Sequence, residues 1–504
     1  MANDDPVCQV FLLAGQSNMQ GQAVVDLDHP EHYNAGKGTL NDLLVNHQNK
    51  ERFAHLKSSD GQWTAREDVL VRYQTPDELK SGKLSIGFTG YGGSHHFGPE
   101  LQFGHVVGDA LEEPVLLIKA AWGGKSLHQD FRPPSAGGEV GQFYSRMIEE
   151  FKTGIDKAPT DFPQLKNHEF KIAGFVWMQG WNDMCDEEAT KNYAANLVHL
   201  INDVRDEFDS PKLPCVIGEL GNMGAAERDT PMQRFRRQQE LGCGHRSFVG
   251  NVDFVPTNQF ARAAQASPNP GHGHHWFGNA ESYFLIGDAL GQQMMKMLKR
   301  SELPKVLLLG DSISMGYHAT VVKNLPDAFV ARPMRTVKNA ENCAGTTNGV
   351  EKIDDWLSMG DLEWDVIHFN FGLHDLKHVD PDSKQNSNDP NNPPQADLET
   401  YRAQLNEIVE KLEATGAKLI FATTTPVPEG GVRPYRAIDA PDKYNQVAFE
   451  IMQARSIEVN DLYSFVNDTG QELLMKPVDV HFKPAGSVKL GEQVAATIRK
   501  HLTK

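Results

Sequence analysis

The sequence predicts an α/β protein made of two three-layer αβα domains with parallel sheets, about 1–300 and 301–504. Three features predict it. Short apolar runs without polar alternation recur at 10–13, 115–118, 172–177, 215–217, 306–309, 366–369 and 418–422. Runs of that length read as strands buried on both faces. Amphipathic helical stretches lie between several of them, the order that parallel sheets covered by helices require. One strand-and-turn is also written twice, VFLLAGQSNMQG at 10–21 and VLLLGDSISMG at 306–316.

Taken in order, 10–13 is four apolar residues ending at Ala14 and Gly15, and 115–118 and 172–177 follow the same rule. In 192–208 the apolar positions Tyr193, Leu197, Leu200, Ile201, Val204 and Phe208 share one helical face. A helix-like segment at 288–299 runs into the basic cluster KMLKRSELPK, and the next apolar strand follows at once. That places the domain boundary near 300–304. In 397–415, Leu398, Tyr401, Leu405, Ile408, Val409 and Leu412 form a second helical face, with Asp397 placed to cap it and Gly416 to end it. Two stretches read as irregular. One is 22–98, polar and weakly periodic; the other is DPDSKQNSNDPNNPPQ at 380–395. Long loops of this kind often line or cover a site.

The chain has 504 residues, 39% hydrophobic and 23% charged, an ordinary globular balance. Its net charge of −18 comes from 67 acidic against 49 basic residues. That field repels phosphate backbones and anionic lipid, so neither nucleic acid nor a membrane is expected as a partner. The five cysteines, Cys8, Cys185, Cys215, Cys243 and Cys343, form no CxxC pair, which argues against a disulfide framework or a thiolate zinc site. The start, MANDDPVCQVFLL, has neither the basic n-region nor the long apolar core of a signal peptide. Two readings of compartment stay open: a secreted or periplasmic protein whose signal is absent from this sequence, or a cytoplasmic one. Oligomeric state is not legible.

The repeated turn carries chemistry. A serine directly after a buried strand and at the start of a helix sits among free backbone N–H groups, which stabilise an oxyanion. Small neighbours such as Gly15 and Gly310 give a substrate room. Such a serine needs an imidazole base and further oxyanion donors.

With these residues on the page, both halves resemble the SGNH/GDSL hydrolase superfamily of flavodoxin-like esterases. The first half resembles its sialate O-acetylesterase and acetylxylan esterase branch. It does so through FLLAGQSNMQG, IKAAWGGKSL (118–127), GFVWMQGWND (174–183) and GHHWFGNAESYFLIGDALG (273–291). The second half resembles the GDSL-type branch through VLLLGDSISMG, NCAGTT (342–347), FNFGLHDL (369–376) and DVHFKPAG (479–486). The resemblance implies Ser17 and Ser312 as nucleophiles and His275 and His481 as bases. It implies Gly124 and Gly345 as backbone oxyanion donors, and Gln179 as the side-chain amide donor of the first half. In the second half Gly372-Leu-His374-Asp375 puts histidine where the family's Gly-x-Asn-Asp has asparagine. His374 and Asn370 are therefore both candidate donors. The family's acid stands three residues before the base. Here Asp479 is two before His481, and the residue three before His275 is His272. For the first half Asp183 or a backbone carbonyl is left to orient the imidazole.

No cofactor or metal is implied. The His272, His274, His275 run lacks a nearby acid or cysteine to complete a zinc ligand set. His95 and His96 read as loop or substrate-pocket residues. Trp177 reads as core, while Trp122, Trp181 and Trp276 read equally as packing or as a sugar platform. The expected activity is removal of O-acetyl groups from carbohydrate with a site in each domain, falling below about pH 6.5 as the base protonates. The alternative is a carbohydrate-binding or assembly protein in which one or both halves have lost catalysis.

Overall fold

The computed structural model describes residues 6–336 and 338–502. The chain divides into two compact units. One takes the chain up to His245 together with Asn251–Ser301; the other takes Arg246–Gly250 together with Glu302 onward. Each is described by itself.

In the first unit the main-sheet strands are β1 (Val7–Gly15), β2 (Arg66–Gln74), β3 (Leu79–Leu84), β4 (Val115–Ala121), β5 (Glu169–Met178), β6 (Cys215–Gly218) and β7 (Val252–Val255). Among the described residues they form a seven-stranded sheet in the order β3-β2-β4-β1-β5-β6-β7. β1 lies at its centre, parallel to β4 on one side and to β5 on the other. That position explains its composition. Val10, Phe11, Leu12, Leu13 and Ala14 are all fully buried, each of the larger ones contributing about 1.5–3 kcal/mol of apolar burial.

The sheet departs from the all-parallel expectation at one edge, where β3 pairs antiparallel with β2. The sequence LKSGKL explains why. Its lysines and its alternation of half-buried and exposed positions suit an edge that must not pair further. Both strands fall inside 22–98, which the sequence presents as irregular. Only Val69, Leu70, Val71 and Tyr73 of β2 are apolar and buried, too short a run to stand out. The same stretch holds the helix Leu40–Asn46 and a two-stranded ladder of Ala23–Val24 with His96–Phe97.

In the second unit β8 (Lys305–Leu309), β9 (Phe329–Ala331), β10 (Val366–Phe369), β11 (Lys418–Ala422) and β12 (Glu458–Asn460) form a five-stranded sheet in the order β9-β8-β10-β11-β12. Every pairing in it is parallel. Helices pack against the sheet, and the core runs from Val306 in β8 to Leu490, Val494 and Ile498 in the last helix, Pro484–Arg499.

The amphipathic stretches form the expected helices with shifted ends. Glu187–Glu207 starts where the Asp186 side chain accepts from the Ala189 N–H. Leu398–Glu413 starts where Asp397 accepts from Thr400 N–H, and Gly416 turns the chain away at φ +74°. The fold class is α/β with parallel-rich sheets, and in each unit the first buried strand delivers its Gly-x-Ser turn at the carboxyl end of the sheet, where open α/β folds bind ligands.

Candidate active site

In the second unit β8 ends at Leu309, and Asp311 caps the 13-residue helix Ser312–Asn324 by accepting from Ile313 N–H at 2.9 Å. Ser312 is the first residue of that helix and is half-buried. Its Oγ lies 3.0 Å from His481 Nε2. The opposite ring nitrogen, Nδ1, lies 2.7 Å from Asp479 Oδ1, and that oxygen also accepts from the His481 N–H at 3.0 Å. Serine, imidazole and carboxylate are thus joined in one line.

The two-residue spacing between acid and base works because the turn is irregular. Val478, just before Asp479, sits at φ +52°, a left-handed conformation that is an outlier for a β-branched residue. Strain of this kind clusters at functional sites. Burial pushes the Asp479 carboxyl up, but the N–H and imidazole of His481 and the charge of Lys476 outweigh it, so its pKa lies below the ordinary value.

The expected oxyanion residues of this unit fall on two sides. Gly345 precedes the helix Thr346–Leu357. A Cβ there would meet the Asp375 carboxylate at 2.7 Å, so only glycine fits. Asp375 holds the turn by accepting from Thr346 N–H at 2.7 Å, and burial raises its pKa to about 6. His374 is half-buried, and burial, then the charges of Lys377, Arg436 and His481, push its pKa down to about 3. It is therefore neutral, with one N–H to donate. Asn370 is turned the other way: its Nδ2 donates to the Ala422 carbonyl at 2.7 Å inside the sheet.

In the first unit β1 ends at Gly15, where a Cβ would meet the Met178 carbonyl at 2.1 Å. Ser17 is half-buried and opens a helix of only four residues, Ser17–Gln20. The helix-terminus argument therefore has little force here, because one turn carries almost no aligned dipole. The loop that carries His274 and His275 is fixed beside it. Asn18 Nδ2 donates to the His274 carbonyl at 3.1 Å, and Asn222 Nδ2 donates to the same oxygen. Tyr283 Oη donates to Asn18 Oδ1 at 2.6 Å. The loop carries two bulky residues at positive φ, Trp276 at +54° and Phe277 at +56°.

Among the described residues, however, no hydrogen bond joins Ser17 to His275. The His275 ring packs against His274 with centroids 4.1 Å apart. Burial, then the neighbouring His274 and His272, lower its pKa to about 4. The described residues contain no group of three or more His, Cys, Asp or Glu arranged to hold a metal.

Two first-unit expectations need correction. Asp183 does not reach His275. It is fully buried and accepts from the N–H groups of Leu127 and His128, both at 2.9 Å, and from Gln179 Nε2 at 2.6 Å. Gln179 is not a free amide donor either. Its Nε2 donates to Asp183 and to the Lys125 carbonyl at 3.0 Å, and its Oε1 accepts from Tyr193 Oη at 3.1 Å. Both hydrogens are committed to holding the 125–128 loop.

Asn182, which the sequence analysis does not single out, ties the turn before Ser17 to the Gly124 loop. Gln16 Nε2 donates to its Oδ1 at 3.2 Å, and its own Nδ2 donates to the Gly124 carbonyl at 3.1 Å, leaving the second amide hydrogen unpaired. Gln16 Oε1 in turn accepts from the N–H groups of Gly180 and Trp181, both at 2.9 Å. The signal was present. Gly180-Trp-Asn182-Asp183 has the spacing of Gly372-Leu-His374-Asp375, and the structure shows Asp183 and Asp375 doing the same work, each pinning the loop that follows its candidate oxyanion glycine. Arg436 had no sequence signal. It is buried, donates from Nε to the Leu373 carbonyl at 2.9 Å, and its charge acts on Asp311 and Asp479.

Of the four tryptophans near the motifs, Trp122, Trp177 and Trp276 are buried packing residues. Trp181 is half-buried, its ring 5.6 Å from that of His274.

Both units are open α/β folds of the esterase and acylhydrolase class. The chain belongs to the family described as carbohydrate esterase, sialic acid-specific acetylesterase, whose model matches residues 7–296, more than half its length. The GDSL-like lipase/acylhydrolase family model matches residues 308–488. Both resemblances drawn from the motifs therefore hold, and the protein is an esterase. An Arabidopsis thaliana protein named as a probable carbohydrate esterase is 24% identical over 216 residues, covering 42% of this chain and 68% of the relative. Its crystal structure aligns over 58% of this chain and 99% of its own, at 17% identity and a TM-score of 0.37. A lipase/acylhydrolase from Enterococcus faecalis aligns over 40% of this chain and 98% of its own, at 20% identity and a TM-score of 0.33. Among the described residues no helix is long and apolar enough to cross a membrane.

Proposed function

We propose that this esterase removes O-acetyl groups from carbohydrate by acyl transfer through serine, with a site in each of two hydrolase domains, about 1–300 and 301–504. The observation that carries the reading is the Ser312–His481–Asp479 line, with contacts of 3.0 and 2.7 Å. In this reading His481 takes the Ser312 proton as Oγ attacks the acetyl carbon, and Asp479 holds the imidazole tautomer and stabilises the imidazolium. The Gly345 N–H and neutral His374 take the oxyanion. The proton then passes to the departing sugar hydroxyl, and water releases acetate by the reverse path. In the first unit Ser17 is the nucleophile, Asn182 and the Gly124 N–H take the oxyanion, and His275 is the base once substrate draws the two together. Contacts of this kind are often loose without ligand. The acetylated sugars are of the sialate or xylan type.

The missing Ser17–His275 contact favours a second reading, in which the first unit binds carbohydrate and only Ser312 turns it over. One experiment separates them. The full chain and its Ser17→Ala and Ser312→Ala variants are treated with a serine-reactive phosphonate and assayed for acetate release from O-acetylated xylo-oligosaccharide and O-acetylated sialic acid. Two labelled serines, each variant keeping part of the activity, support two sites. Labelling of Ser312 alone supports the second reading. No labelling and no acetate release refute both.

A further inference from the structure

Among the described residues most aromatic side chains are buried or half-buried. Among the described residues Tyr91 and Phe449 are the aromatics that count as exposed large hydrophobics, at 42% and 48%. Phe449 sits within a surface helix, Ala440–Ala454. Tyr91 is different, because it is exposed and yet held at three points. Its ring stacks on His96 with centroids 4.3 Å apart and planes 29° off parallel. Its hydroxyl donates to Gln22 Oε1, and its carbonyl accepts from Lys80 Nζ.

These contacts lead to the nucleophile. Gln22 Nε2 donates to the Ser17 carbonyl at 3.2 Å, so Tyr91 is two hydrogen bonds from the Ser17 backbone. The packing agrees. A Cβ on Gly90 would meet Gln20 Nε2 at 3.0 Å, and a Cβ on Gly123 would meet Gln20 Oε1 at 3.0 Å and Ser17 Cβ at 3.6 Å. Gln20, in the turn that begins at Ser17, therefore packs against both Gly90 and Gly123. Next to Tyr91, Gly92 has open space where a Cβ would be. On the same loop His95 Nδ1 and Asp26 Oδ1 form a partly exposed pair at 2.7 Å.

We propose that Tyr91, backed by His96, is a carbohydrate platform at the Ser17 site, and that the ring it stacks belongs to the acetylated sugar chain whose ester is presented to Ser17. One face of the phenol rests on His96, and the side chain, 42% exposed, offers the rest of its ring to the C–H face of a pyranose. A flat aromatic with few rotatable bonds, fixed before ligand arrives, binds at low entropic cost. His95 and Asp26 supply polar partners for hydroxyl groups, and few, well-placed polar groups beside an apolar surface are what orient a ligand. This inference rests on the carbohydrate reading above but not on whether Ser17 is catalytic, since a platform serves binding and turnover alike.

The test uses the full chain carrying Ser17→Ala and Ser312→Ala, so that ligand persists, with O-acetylated xylo-oligosaccharide and O-acetylated sialic acid as calorimetric probes. Tyr91→Phe and Tyr91→Ala both free Gln22 of its partner, but only the second removes the ring. The expected result is at least a 10-fold weaker Kd for Tyr91→Ala and less than a 3-fold change for Tyr91→Phe, on the scale of one aromatic contact. In the Ser312→Ala chain, where only the Ser17 site can turn over, hydrolysis of a small aryl acetate, which has no sugar ring to stack, should stay within 2-fold for both Tyr91 variants. Unchanged oligosaccharide binding by Tyr91→Ala overturns the platform while leaving the esterase reading intact. Equal losses in both variants, or an equal loss on aryl acetate, assign Tyr91 to positioning Ser17 through Gln22 and also overturn it. If the parent binds neither probe, the carbohydrate reading fails and the platform with it.

Discussion

Asp479 and Asp183 have the same side chain and opposite assignments, and the difference lies in what surrounds each carboxylate. Asp479 is partly exposed and meets His481 Nδ1 at 2.7 Å. Asp183 is fully buried with its oxygens taken by backbone N–H groups. In a Ser17→Ala background, Asp479→Asn should therefore lower kcat at the Ser312 site by about 10⁴-fold, the size of the corresponding loss in a serine protease triad. Circular dichroism should be unchanged; near-full activity would mean that Asp479 only shapes its turn. His275 makes a second residue-scale prediction. A general base must be neutral, and burial holds the His275 pKa near 4. The neutral form then persists at lower pH than for a free imidazole. Activity of the Ser17 site, read in Ser312→Ala with an aryl acetate, should hold through pH 6.5 and fall only as pH approaches about 4. An inflection near 6.5 would place the titrating base elsewhere, so the sequence expectation of a common fall below about 6.5 is not extended to this site.

At the scale of elements, each sheet delivers its chemistry through loops at the carboxyl ends of neighbouring strands, and a buried aspartate ties two of those loops together. Asp183 joins the turn after β5 to the loop after β4; Asp375 joins the turn after β10 to the loop ending at Gly345. Asp183→Ala would leave the Leu127 and His128 N–H groups without an acceptor, at about 1–3 kcal/mol for each that water does not reach. The melting temperature should fall and the Ser17-site kcat should fall with it, while Asp183→Asn, which keeps one acceptor oxygen, should lose less of both. A Ser17 site unaffected by Asp183→Ala would show that the loop holds its shape without the clamp. Helix ends were legible at this scale where a cap is local, as at Asp397. The hairpin of β2 and β3 was not, because its strands draw their burial from β4 and from the helix Glu100–Ala110 that follows them rather than from their own periodicity.

For the molecule as a whole, the buried and half-buried histidines weigh on the response to acid in both units, against Asp375, whose raised pKa of about 6 acts the other way. Burial is the first cause in every case and lowers His96, His105 and His275 in the first unit and His318 and His368 in the second to about 4, with His374 at about 3. An unfolded imidazole titrates near 6.5. Between those values the unfolded chain binds protons that the native chain does not, so native stability falls as pH drops from about 6.5 toward about 4. Thermal unfolding midpoints should decline steeply across that window. Replacing His368, wholly buried in β10, by a neutral residue of similar size should flatten the decline for the second unit; an unchanged slope would assign acid sensitivity to the carboxylates instead.

The sequence by itself determined the α/β class, the central strands, both Gly-x-Ser turns, the two histidine loops and the family. These are legible because each is written in consecutive residues: a buried strand in a parallel sheet must be apolar throughout, and a turn where a Cβ would meet a carbonyl at 2.1 Å must be glycine. Asp479 belongs with them, since it stands two positions before His481. Only the tertiary structure decided that Gln179 is held to the 125–128 loop, that Asn182 bonds Gln16 and Gly124, that Asp183 is a clamp, that Asn370 bonds into the sheet, and that Tyr91 reaches the Ser17 carbonyl through Gln22. Each of those outcomes depends on which of two or three loops, brought together from distant parts of the chain, offers the nearest unpaired N–H or carbonyl. A buried polar group takes the partner that satisfies it, and that partner is set by how the strands are ordered in the sheet.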